Sequence, residues 1–185
     1  MLTALLGSLP VVAQAATPTE SGRIVSIEPV DLETKTWFDF ITGEALDIEF
    51  VLETIENRTR ESRPTEISPL FQASPFAPFL IEKCTTTNFK VIYRQWADPT
   101  NIAVCFGGGG VTIVPLDIRS NTEVVIGVCP GNKKGQIHYR AANNWRWSEM
   151  RGPQTTNTNC YLFASQSPPV FPDQFDEMAF ESPTR

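Results

Sequence analysis

Glu123-Val124-Val125-Ile126-Gly127-Val128-Cys129-Pro130-Gly131-Asn132-Lys133-Lys134-Gly135 begins as a β-branched apolar run. Proline stops it and a Gly-Asn-Lys-Lys-Gly phrase turns it, which is how a strand feeding a tight turn reads. Two further runs have the same character, Phe89-Lys90-Val91-Ile92-Tyr93 and Val111-Thr112-Ile113-Val114. The second follows Cys105-Phe106 and the glycines Gly107 to Gly110. From Cys84 to Cys160 lie all four cysteines, two of the three tyrosines, the single histidine and three of the four tryptophans, Trp96, Trp145 and Trp147, with the third tyrosine, Tyr161, next in the chain. A strand-built core closed by disulfides follows, and the fold class is all-β.

Working outward, 185 residues allow one domain of ordinary size or a small one with long appendages. Residues 20–83 hold 13 acidic and 6 basic side chains, residues 84–163 hold 4 and 8, and residues 164–185 hold 4 and 1. A mildly basic core thus sits between acidic, proline-containing flanks. The charge split serves solubility, and opposite-sign flanks can also fold back on such a surface and mask it; residues 16–80 are expected to lie partly against the core and weaken its binding. The alternative is that the segment from Leu46 to Leu52 supplies an extra strand and belongs to the fold.

Residues 1–15 carry no charge, and Leu2, Leu5, Leu6, Leu9, Val11 and Val12 form a short apolar run before Ala13-Gln14-Ala15. The run is too short to span a bilayer and reads as a secretory signal peptide cut after Ala15. The domain reading is then a signal at 1–15, an acidic region with a proline-rich linker at 16–82, a disulfide-containing β-sandwich at 83–163, and an acidic disordered tail at 164–185.

In an exported chain an even cysteine count reads as disulfides. The spacings between Cys84, Cys105, Cys129 and Cys160 match no CxxC or zinc-ribbon pattern, and no metal or cofactor is expected. Of the three pairings, Cys84–Cys105 with Cys129–Cys160 is favoured because it closes two local loops.

Ile24 to Ile27 reads as a strand, and Trp37-Phe38-Asp39-Phe40-Ile41 as an apolar segment before the turn Thr42-Gly43. In Ala45 to Ile55, Leu46, Ile48, Phe50 and Leu52 alternate with Asp47, Glu49, Val51 and Glu53, a period-2 pattern that favours strand over helix. Asn57-Arg58-Thr59 is a glycosylation acceptor triplet and puts Asn57 on the surface. From Ser62 to Phe79, four prolines interleave with Leu70, Phe71, Phe76 and Phe79, which reads as an extended linker. The segment 165–185 mixes Pro168, Pro169, Pro172 and Pro183 with Phe171, Phe175, Phe180 and acids, and reads as disordered.

One resemblance rests on sequence order. Cys84 leads into an aromatic strand; Cys105-Phe106, Gly110, Gly131-Asn132, Gly135, Tyr139 and Trp147 follow in turn. Residues 83–163 resemble the secreted microbial βγ-crystallin-like proteins related to the Streptomyces killer-toxin-like protein. The resemblance implies a Greek-key sandwich of two four-stranded sheets in a small secreted toxin- or effector-like protein acting on the envelope of another cell. Crystallin-like domains often hold calcium through paired Asn or Asp, two spacers and a hydroxyl residue. In Asn143-Asn144-Trp145-Arg146-Trp147-Ser148 an indole replaces that hydroxyl, and a hard cation wants oxygen ligands.

Catalysis finds little support. The glycine run lacks the following Lys-Ser/Thr and helix of a phosphate loop, no G-x-S-x-G elbow occurs, and His138 sits in an alternating strand pattern as a structural or surface residue. The protein is expected not to be an enzyme. Tyr139, Arg140, Trp145, Arg146 and Arg151 form instead a candidate binding surface, since exposed aromatics beside arginine suit sugars, headgroups or protein hot spots. The competing assignment puts Trp147 in the sandwich core and Trp145 over its edge, although an extended segment places both indoles on one face. The expected partner is an envelope component or protein target of another cell, met by a monomer without nucleic acid and without stable membrane insertion. A non-catalytic carbohydrate-binding or protease-inhibitor module is the alternative.

Overall fold

Every residue from Thr122 to Cys129 is buried, which requires a strand covered on both faces. A computed structural model of the chain describes residues 22–62, 83–85, 87–95, 100–154, 158–163 and 172–181. The expected signal peptide, Trp96 and nearly all of the proline–aromatic linker lie outside them. The described elements, in order, are β1 (Arg23–Pro29), a 3-10 turn (Leu32–Thr34), β2 (Thr36–Asp39), β3 (Ala45–Leu46) and α1 (Ile48–Ser62). After these come β4 (Phe89–Gln95), β5 (Asn101–Gly107), β6 (Val111–Ile113), α2 (Leu116–Asn121) and β7 (Thr122–Cys129). The remaining strands are β8 (Gly135–Ala141), β9 (Asn144–Trp147), β10 (Asn159–Leu162) and β11 (Gln174–Phe180).

The strands form two sheets, one of seven in the order β1-β5-β4-β7-β10-β2-β3 and one of four in the order β6-β11-β8-β9. The chain is mostly β, as the sequence implies, but seven and four strands replace the expected four and four. Most neighbours are antiparallel; β10 and β2 run parallel.

Between the sheets, Phe89, Val91 and Tyr93 of β4 and Val104 and Phe106 of β5 meet Ile137 and Tyr139 of β8 and Phe175, Met178 and Phe180 of β11. The opposite face of the large sheet carries a second core of Trp37, Ile92, Ala103, Cys105, Val124, Ile126, Cys129, Cys160 and Leu162, closed by Val51 and Ile55 of α1. Alternate residues of β4 and β7 thus enter different cores, which is why these strands read as continuous apolar runs. Gly127 lets the layers close: a Cβ there would run into the Tyr161 carbonyl and lie 3.2 Å from the Trp37 ring. The Trp37 indole N–H donates to the Leu32 carbonyl at 3.0 Å.

Three sequence expectations change. The segment expected to be a strand at 45–55 holds only the two-residue β3 and then helix. Asp47 caps it, its carboxylate accepting from the Glu49 N–H at 2.8 Å, and Val51, Ile55 and Thr59 form a buried stripe at helical spacing. Phe50 and Leu52, which completed the alternation, point to solvent. The described part of the flank expected to mask the core, residues 22–62, belongs to the fold, since β1 pairs along β5 from Arg23↔Gly107 to Pro29↔Ile102 and β2 pairs with β10. The tail expected to be disordered contains β11, which lies between β6 and β8.

Cys84–Cys105 and Cys129–Cys160 are bridged, the local pairing expected. In the chain-entropy account each such loop stabilises the fold by about 3 kcal/mol. Asn57 is exposed on α1, while the Thr59 hydroxyl of its triplet is buried and donates to the Ile55 carbonyl. No described helix is long and apolar enough to cross a membrane.

Candidate functional site

The β8–β9 hairpin builds the site. Its turn is Ala142-Asn143, both at positive φ, 49° and 64°, the backbone twist that a two-residue hairpin favours. So short a turn fixes the register: His138 lies opposite Trp147, Tyr139 opposite Arg146 and Arg140 opposite Trp145. Along β8, Ile137, Tyr139 and Ala141 are buried while Gln136, His138 and Arg140 alternate with them on the outer face.

Outside the sheet, the His138 imidazole lies against two indoles, stacked on one and tilted to the other. Its centroid is 5.3 Å from Trp145 at 23° and 5.0 Å from Trp147 at 37°. Both indoles remain exposed, at 38% and 39%. The Arg140 guanidinium continues the stack 5.9 Å from the Trp145 ring. It is held by Asp173, with Nε 3.1 Å from each carboxylate oxygen and Nη2 2.7 Å from Oδ2, and that hydrogen bonding pushes Arg140 above its ordinary value. His138 Nδ1 lies 2.7 Å from Asp176 Oδ1, and Arg119 Nη2 approaches the other oxygen of Asp176 at 3.8 Å. Asp176 is the extra residue of a bulge between Phe175 and Glu177 in β11, and the bulge carries its carboxylate to the imidazole.

Of the sequence-derived surface, Arg140 and Trp145 stand here. Tyr139 does not: it is 5% exposed and faces the inter-sheet core. Arg146 lies on that inner side, 5.3 Å from the Tyr139 ring centroid. Arg151 is a clamp between loops, donating through Nε and Nη2 to the Phe40 carbonyl and lying 4.5 Å from the Phe40 ring. Trp147 is not in the core but shares the outer face with Trp145. Sequence reasoning missed His138 as a member of the stack and the tail carboxylates Asp173 and Asp176. The apolar alternation Phe175, Met178, Phe180 was the available signal, with the bulge residue interrupting it.

The Asn143-to-Ser148 stretch weighed for calcium forms the turn and β9, and the Ser148 hydroxyl accepts from the Ile137 N–H at 3.1 Å and donates to the Glu149 carbonyl at 2.9 Å. Among the described residues, Glu28, Cys84 and Cys105 gather closely enough to suggest a metal, but both sulfurs belong to one disulfide. Comparison with protein-family models, curated proteins and solved structures finds no match for this chain.

Proposed function

We propose that the protein is a secreted, non-catalytic effector that binds an envelope component of another cell through the outer face of its four-stranded sheet. The observation that carries this reading is the Trp145–His138–Trp147 stack, two large indoles left in solvent yet locked in place. Large apolar side chains gathered at the surface mark interaction sites. Here the short turn, the register and the Asp173 and Asp176 contacts hold them ready, so little ordering cost falls on binding. The two disulfides support an oxidising, extracellular setting. The resemblance of residues 83–163 to the βγ-crystallin-like toxin relatives supports a Greek-key core and action on competing cells.

The test is co-sedimentation of the full mature chain with bacterial and yeast envelope preparations, alongside growth inhibition of the same cells. Trp145→Ala with Trp147→Ala should abolish both while leaving the melting temperature within a few degrees of the parent. A double variant that still sediments and inhibits as the parent does would refute the reading.

A further inference from the structure

Resting on that reading, we infer that the ligand of the outer face is an uncharged polysaccharide that presents flat ring faces and spans several sugar units. Three observations carry this. The first is the shape of the aromatic group. His138 stacks on Trp145 and lies tilted against Trp147, and both indoles stay exposed. Pyranose rings present a sheet of C–H groups that packs on indole faces, with hydroxyls projecting sideways toward polar neighbours.

The second is charge. Around the stack stand two guanidinium groups, Arg119 and Arg140, and three carboxylates, Asp173, Asp176 and Glu177. Arg140 is paired with Asp173 at 2.7 Å and Arg119 with Asp176 at 3.8 Å. An anionic ligand finds each cation already facing a carboxylate, and a cationic ligand finds two of the three carboxylates already facing arginines. A neutral ligand pays neither desolvation cost, and carboxylate oxygens remain good acceptors for hydroxyl groups. Gln136 adds an amide on the same face.

The third is extent. Register places Ile113, Glu177, His138 and Trp147 in one row across β6, β11, β8 and β9. Three interstrand spacings make that row roughly 14 Å long, more than one sugar ring. Ile113 at its far end is 71% exposed and Val111 beside it 58%, so the row offers apolar contact at both ends with polar groups between.

The experiment measures binding of the full mature chain to an insoluble β-glucan, chitin, a uronate polymer and anionic phospholipid vesicles, at low and high salt. The expected result is binding to a neutral polymer that salt leaves unchanged. Trp147→Ala should weaken it about tenfold, the scale of a lost aromatic anchor, and Trp147→Phe should restore most of it. Salt-sensitive binding to the uronate polymer or the vesicles instead would overturn the inference while leaving the envelope reading intact. So would envelope binding through Trp145 and Trp147 with no purified neutral polymer bound. Failure to bind any envelope preparation would sink both.

Discussion

Replacing Phe175 by alanine tests whether the tail is structural. Phe175 is fully buried in β11, its ring 5.8 Å from that of Tyr93 in the facing sheet. The inter-sheet core surrounds it, with Ile137 and Tyr139 on β8 and Met178 farther along β11. Truncating a phenylalanine so enclosed costs about 3–5 kcal/mol, lost transfer energy plus the cavity left behind. That is a large share of the 5–15 kcal/mol typical of a whole domain. With a urea m value of about 2 kcal/mol per molar, the midpoint should fall by roughly 2 M. Equilibrium urea unfolding under non-reducing conditions, followed by tryptophan fluorescence and by far-UV circular dichroism, measures the shift. Glu181→Gln is the control: it removes only the exposed ion pair with Lys134 and should move stability by less than about 0.5 kcal/mol. A Phe175→Ala protein indistinguishable from that control would refute the placement of β11 inside the sheet.

Two further outcomes concern titration. Burial pushes the Tyr93 phenol up to about 12, so the fold keeps its full contribution below the ordinary value near 10 and loses it as pH climbs from there to about 12. At 1.36 kcal/mol per unit the loss is roughly 2–3 kcal/mol, and it should appear as a steeper alkaline fall in urea midpoint for the parent than for Tyr93→Phe; parallel curves would contradict it. Lys90 is 5% exposed, and burial, aided by Lys35, lowers its value against the raising effect of Glu28. The charged form therefore destabilises the fold, so Lys90→Met should be more stable than the parent at pH 7 by a margin that shrinks as pH approaches 10.5. A Lys90→Met protein with a lower urea midpoint than the parent at pH 7 would reverse the assignment.

What the sequence discloses depends on how local the determining contact is. The apolar runs of β4, β5 and β7 and the turn feeding β8 are readable because strand, turn and burial coincide within a few residues. The loop-closing disulfide pairing is legible for the same reason. Around α1 two periodicities overlap: Leu46, Ile48, Phe50 and Leu52 alternate, yet the Asp47 cap and the Val51, Ile55, Thr59 stripe prevail because a core face needs covering. The tail fails differently. Prolines surround it and a bulge at Asp176 breaks its alternation, so its partners emerge only from the fold. In the site, alternation through Ile137, Tyr139 and Ala141 already separates Tyr139 from Arg140, and an extended strand already pairs Trp145 with Trp147. Arg151 was beyond reach, since the carbonyl that holds it belongs to Phe40, 111 residues away.

The central position of β11 dictates an order of assembly. Within the four-stranded sheet β6 borders only β11, and β11 joins it to β8, so until Gln174–Phe180 arrives that layer is a three-residue strand and a hairpin with nothing between them. Ribosomes make β11 after the other described strands, and with it the acids that steady His138 and Arg140. A nascent chain still lacking β11 holds all four cysteines of the two disulfides yet has no finished outer face. Protease cleavage between Phe163 and Pro172 would free the strand on which that face depends from the covalently closed sheet. Among the described elements, the aromatic outer face of the small sheet is thus completed only once synthesis has passed Phe180.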